Sequence, residues 1–92
     1  MYSTPNKEQI NIMGTLIDVI IDDDKCGAEN AAGLYQDETI YLLSEYSSVK
    51  EYQRVYAHEC FHALCEILGC QLDHHLEETL AHRVSTMIVY EI

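Results

Sequence analysis

SVKEYQRVYAHECFHALCEILG, residues Ser48–Gly69, is the stretch whose reading decides the fold. Its pattern predicts a helix from about Ser48 to Leu68, with Ser47 or Ser48 as N-cap and Glu51 completing a capping box three residues beyond Ser48. Gly69 ends it, because glycine enters the left-handed conformation that closes a helix at little cost. The second half (Ala57, Cys60, Phe61, Ala63, Leu64, Cys65, Ile67, Leu68) is apolar on nearly every side, which marks a central, buried helix. His58, Glu59, His62 and Glu66 interrupt it. Polar groups on a buried helix need partners, and a metal site supplies them.

His58-Glu59-Cys60-Phe61-His62 has the form HExxH. On a helix, residues four apart lie on one face, so both imidazoles can reach a single zinc ion. Glu59 is turned about 100° around the helix axis and can sit beside the ion as a general base without ligating it. A catalytic zinc takes three protein ligands. The extended form HExxHxxGxxH is excluded, since Cys65 and Leu68 stand where it needs glycine and histidine.

Candidates for the third ligand lie on a second helix, expected from an N-cap at Asp73 to about Tyr90. Leu76, Leu80, Val84 and Met87 form its apolar stripe, and His74, Glu78, His82 and Ser85 share another face, with His75 close by. Glu78 is the favoured ligand and His75 the runner-up. Ala81 would let the two helices approach closely, His82 could hydrogen-bond a ligand from behind, and His74 could donate to a transition-state oxyanion. Glu77 points away on this reading and is assigned to the helix dipole.

Upstream, Thr15–Ile21 (TLIDVII) reads as a strand rich in β-branched residues. Asp22–Gly27 reads as a solvated loop, since contiguous aspartates do not match a calcium loop. Gly33–Leu43 reads as a hairpin turning at Asp37-Glu38, and Thr39–Leu43 is the candidate edge strand for holding a peptide. The layout is a single domain over residues 1–92 of the α+β class: a small antiparallel sheet of two or three strands, followed by two C-terminal helices carrying a zincin-type site.

The 16 acidic and 5 basic residues give a net charge of −11, which disfavours nucleic acid and anionic membranes as partners. No apolar run is long enough for a membrane span, and no signal peptide is expected. Cys26, Cys60, Cys65 and Cys70 make no CxxC clip and read as small buried thiols, in keeping with a cytoplasmic protein.

Taken together, the glycine-led strand, the Gly33–Leu43 hairpin, His58-Glu59-Cys60-Phe61-His62 and Glu78-Thr79-Leu80-Ala81-His82 resemble the compact gluzincin-type metallopeptidases of the ImmA/IrrE-like group found in phages and bacteria. The resemblance covers the chain from about Ile10. It implies zinc held by His58, His62 and Glu78, with Glu59 as general base, acting on a protein or peptide. The chain departs from the pattern at His82, where Asn or Asp usually follows the alanine. The SprT-like group, whose third ligand is histidine, would shift that role to His75. So small a domain leaves room for a second copy or a partner protein to complete the cleft. The competing reading is a non-catalytic binding module with a structural or vestigial zinc.

Overall fold

The structure, a computed structural model, describes residues 1–6, 8–69 and 72–90, the last five as backbone only. Two hairpins make the sheet. Strands β2 (Gln9–Ile12) and β3 (Thr15–Ile21) pair antiparallel around Met13 and Gly14, both at positive φ (50° and 88°). Such turns twist with the strands, and Asn11 Oδ1 accepts from the Gly14 amide at 2.7 Å. Strands β4 (Gly33–Gln36) and β5 (Thr39–Leu42) pair antiparallel around Asp37 and Glu38, again both at positive φ. This is the expected hairpin and the expected turn.

The hairpins join through β3 and β5, which run parallel with Val19 opposite Ile40, giving the order β2-β3-β5-β4. The sheet is therefore mixed and four-stranded. A parallel pair needs a crossover. It is made by the short helix α1 (Asp23–Ala28), over residues expected to form a loop. Asp22 caps it by accepting from the Lys25 amide at 3.0 Å, Asp23 and Asp24 occupy the first turn, and the wholly buried Cys26 anchors it. The Asp23 carboxylate is taken up by the Ser44 amide and hydroxyl at 2.8 and 2.7 Å, which holds it below the usual carboxylate range. A second small sheet pairs β1 (Tyr2–Ser3) with β6 (Glu45–Tyr46).

Helix α2 (Val49–Leu68) follows its sequence markers closely. Ser48 Oγ accepts from the Glu51 amide at 3.1 Å, and Gly69 adopts φ 68°. Only the return half of the capping box is missing. The Glu51 carboxylate instead receives two bonds from Arg54, at 2.6 and 3.1 Å, and its pKa is lowered by that guanidinium. Residues Tyr52, Val55, Tyr56, Glu59 and Ala63 recur every three or four positions and are buried. All but Glu59 pack with Ile17, Val19, Ile40, Leu42 and Tyr46 in one core. Fully enclosed Ile17, Ile40 and Leu42 contribute about 1.5–3 kcal/mol each. Across the sheet, Leu16 and Ile20 of β3 face outward.

Helix α3 (His74–Tyr90) packs against α2 and is capped by Asp73, whose carboxylate accepts from the Leu76 amide at 3.0 Å. Its inward residues are Ala81 and Ser85, both 0% exposed, whereas Leu76 is 43% exposed. The packing face is thus the small-residue stripe and not the leucine stripe. Small side chains let the helix axes come close. The class is α+β, with α2 packed on a small sheet and α3 packed on α2. Of the cysteines, Cys26 and Cys65 are buried and Cys60 partly so, while Cys70 lies outside the described residues, as does the Met87 side chain. Among the described residues, no helix is long and apolar enough to cross a membrane.

Candidate metal centre

His58 and His62 stand one turn apart on α2, their rings edge to face with centroids 5.0 Å apart. Glu78, from the second turn of α3, reaches both. Its Oε2 lies 3.3 Å from His58 Nε2 and its Oε1 lies 2.9 Å from His62 Nε2. One potential ligand atom from each of the three residues lies within 4.8 Å of the others. Two imidazole nitrogens and one carboxylate oxygen are a donor set that suits zinc.

Glu59 sits beside this triad on the sheet-facing side of α2, 7% exposed, with no hydrogen bond to a described residue. Burial pushes its carboxyl up to about 7, with Glu78 adding to the rise and His62 opposing it. The cause can be traced to one glycine. A Cβ on Gly33 would stand 2.6 Å from Val55 Cγ1 and 3.3 Å from Glu59 Cγ, so only glycine lets β4 lie against α2 at this level. His58 is moved in the opposite sense. Burial and the neighbouring His62 lower its pKa against the pull of Glu78, which favours the neutral, ligating imidazole.

A cavity of about 670 Å³ opens over these groups, lined by Gly33, Leu34 and Tyr35 of β4, by Glu66, and by His74 and Glu77 of α3. Burial raises the Tyr35 phenol to about 12, with the neighbouring Glu66 carboxylate adding to the rise. β4 is an edge of the sheet, paired only with β5. β5 itself lies between β3 and β4, so Thr39–Leu43 is not the edge strand that was expected. Pairing on both sides leaves β5 no backbone groups for a peptide, and that capacity belongs to β4.

The sequence-predicted residues separate according to their angle on α3. Taking the midpoint of Ala81 and Ser85 as the face toward α2, His74 lies on it, Glu78 about 40° away and Glu77 about 60° away, at 100° per residue. On the same wheel His82 and His75 lie about 80° and 100° away. His82 and His75 are accordingly exposed and do not line the cavity. His74 does line it. Glu77 stands in the first turn of α3 as the dipole reading expects, but it does not point away: it meets His62 Nδ1 at 2.5 Å. The buried Ala81–Ser85 stripe was the sequence signal that brackets both glutamates. Gly33 carried no such signal, because its constraint comes from a helix distant in sequence. No family model, no curated protein and no solved structure matches this chain.

Proposed function

We propose that this chain is a zinc-dependent peptidase of the gluzincin type, akin to the ImmA/IrrE-like group. The observation that carries the reading is the convergence of His58, His62 and Glu78 from two helices, with the buried Glu59 at their side and an open cavity above. Zinc held there would supply a Lewis acid able to acidify water and polarise a peptide carbonyl. Glu59 takes the proton of the attacking water, for which a pKa of about 7 suits it, and returns the proton to the leaving amine. The substrate lies along the free edge of β4 by strand addition, its backbone brought level with Glu59 by the close approach at Gly33. His74, which lines the cavity, would donate to the developing oxyanion.

The charge of −11 and the glutamates around the cavity support a protein or peptide substrate, favouring cationic segments, over nucleic acid or membrane lipid. The absence of a membrane-crossing helix among the described residues and the buried thiols accord with a cytoplasmic protein. A second copy or partner protein completing the cleft remains part of the proposal, because one open side of the cavity is all that 92 residues enclose.

The test is zinc titration followed by cleavage of a peptide library, with the wild type and Glu59→Gln in parallel. One zinc per chain is expected in both, with cleavage in the wild type only. No bound zinc would overturn the metal reading. Zinc without cleavage of any library peptide would make the chain a binding module, and full cleavage by Glu59→Gln would remove the general base.

A further inference from the structure

His62 is the one imidazole among the described residues with a carboxylate at each ring nitrogen: Glu77 at Nδ1, 2.5 Å, and Glu78 at Nε2, 2.9 Å. The two glutamates are consecutive, so they leave α3 about 100° apart and approach the ring from two sides. We infer that Glu77 is a positioning residue for the metal centre, holding His62 as its Nδ1–H tautomer so that Nε2 offers its lone pair to a cation beside Glu78.

An ionised carboxylate only accepts hydrogen bonds, and both ring nitrogens of His62 face one. The single proton of a neutral ring therefore goes to the nearer and less exposed carboxylate, Glu77 at Nδ1. Neutral imidazole has one N–H, and in water that proton favours Nε2. In this fold Nε2 is the nitrogen that points into the triad. Without Glu77, the ring would present a proton where a cation has to bind. The His62 side chain is 12% exposed and that of Glu77 is 25% exposed, so their charge-assisted bond is partly shielded from water. Glu78 is 44% exposed and shares its two oxygens between the two rings, which leaves it freer to turn toward an ion. His58 differs, since its contact with a carboxylate is through Nε2 to Glu78. One ligand ring is therefore set in place by the fold, and the other is left for the ion to set. Metal-ligating histidines generally have an acceptor behind them, and loss of that acceptor typically weakens metal binding.

The effect on affinity rests on the zinc reading above, but the tautomer does not, so the two can fail separately. The experiment records ring-nitrogen chemical shifts of labelled histidine in the metal-free protein, at a pH where imidazole is neutral, together with zinc affinity by chelator competition. The wild type is expected to carry the His62 proton on Nδ1. Glu77→Ala and the bulkier Glu77→Met should move it toward Nε2 and raise the zinc dissociation constant about 10–100-fold. Glu77→Gln, whose amide oxygen still accepts from Nδ1–H, should keep the tautomer and most of the affinity. A wild-type His62 protonated on Nε2 would overturn the inference, whatever the variants do. So would an unchanged tautomer and affinity in a folded Glu77→Ala or Glu77→Met. A chain that bound no zinc yet lost its Nδ1–H tautomer in these variants would sink the peptidase proposal and support the clamp.

Discussion

Toward β4, α2 sets Glu59 in line with Tyr52, Tyr56 and Ala63, where apolar neighbours leave it 7% exposed. Toward α3, the same helix sets His58 and His62 against Glu77 and Glu78. The first face makes ionisation of an acid unfavourable, and the second surrounds two bases with negative charge. An acid kept poised near neutrality and bases kept beside acceptors are the two halves of the proposed hydrolytic site, separated by a single step around one helix. Burial raises the Glu59 carboxyl on one face, while pairing with glutamates orients the two imidazoles on the other.

The largest effect should come from the sheet-facing side. With zinc bound, Glu59→Gln is expected to lower peptidase turnover by about 10²–10⁴-fold while leaving zinc affinity nearly unchanged, since general acid–base catalysis is worth that much. Steady-state kinetics beside a zinc titration checks it. On the α3-facing side the pattern reverses. Glu78→Ala should weaken zinc by more than the roughly 10–100-fold expected for a group behind a ligand. It should change the melting temperature of the chelated protein little, because Glu78 is 44% exposed and an exposed pair contributes about 0–1 kcal/mol. Melting curves with and without zinc separate the two effects, and a large loss in the chelated protein would break the contrast.

A third prediction concerns pH. The folded pKa of Glu59, about 7, lies above its ordinary 4.5, so the native state holds a proton that the unfolded chain has released. Metal-free wild type should therefore lose stability as pH rises from about 4.5 to about 7 through this group. At 1.36 kcal/mol per pH unit the loss is about 3 kcal/mol. Glu59→Gln removes the titrating group. Its stability advantage should be greatest above neutrality and vanish below about pH 4.5. Urea melts across that range would show no such trend if Glu59 were well solvated.

Gly33→Ala should destabilise by about 1–3 kcal/mol, as overpacking does, because its Cβ would meet Val55 Cγ1 at 2.6 Å. The accompanying displacement of β4 should raise KM for a peptide held on that edge. The smallest effect is at the helix start, where Ser48→Ala should cost about 1 kcal/mol without touching either face. A loss of zinc affinity there would show that the two faces depend on the whole helix and not on local packing.

Sequence reading recovered α2 almost to the residue, because its signals are local: a serine cap, a glycine stop and apolar periodicity. It recovered the Asp37-Glu38 hairpin turn for the same reason, whereas the hairpin at Met13-Gly14 was not read from the sequence. It also assembled His58, Glu59, His62 and Glu78, whose spacings are properties of a single helix or of two helices joined by a short turn. It missed α1, since three aspartates read as a solvated loop until Ser44 and the buried Cys26 hold them in place. It placed Ala81 at the close approach of the helices, where the structure has it, but grouped Ser85 with His82 on one polar face, whereas Ser85 is buried and His82 exposed.

By itself, then, the sequence determined the helical scaffold and the ligands offered along it, because these follow from caps and from the 3.6-residue period. Only the tertiary structure decided the rotation of α3 about its own axis. That rotation exposes His75 and His82 and puts Glu77 behind His62. Likewise only the parallel pairing of β3 with β5 made β4 the free edge, and only β4 crossing at Gly33 buried Glu59. Each of these depends on contact between segments far apart in the chain, where local propensity carries no information about which surfaces meet.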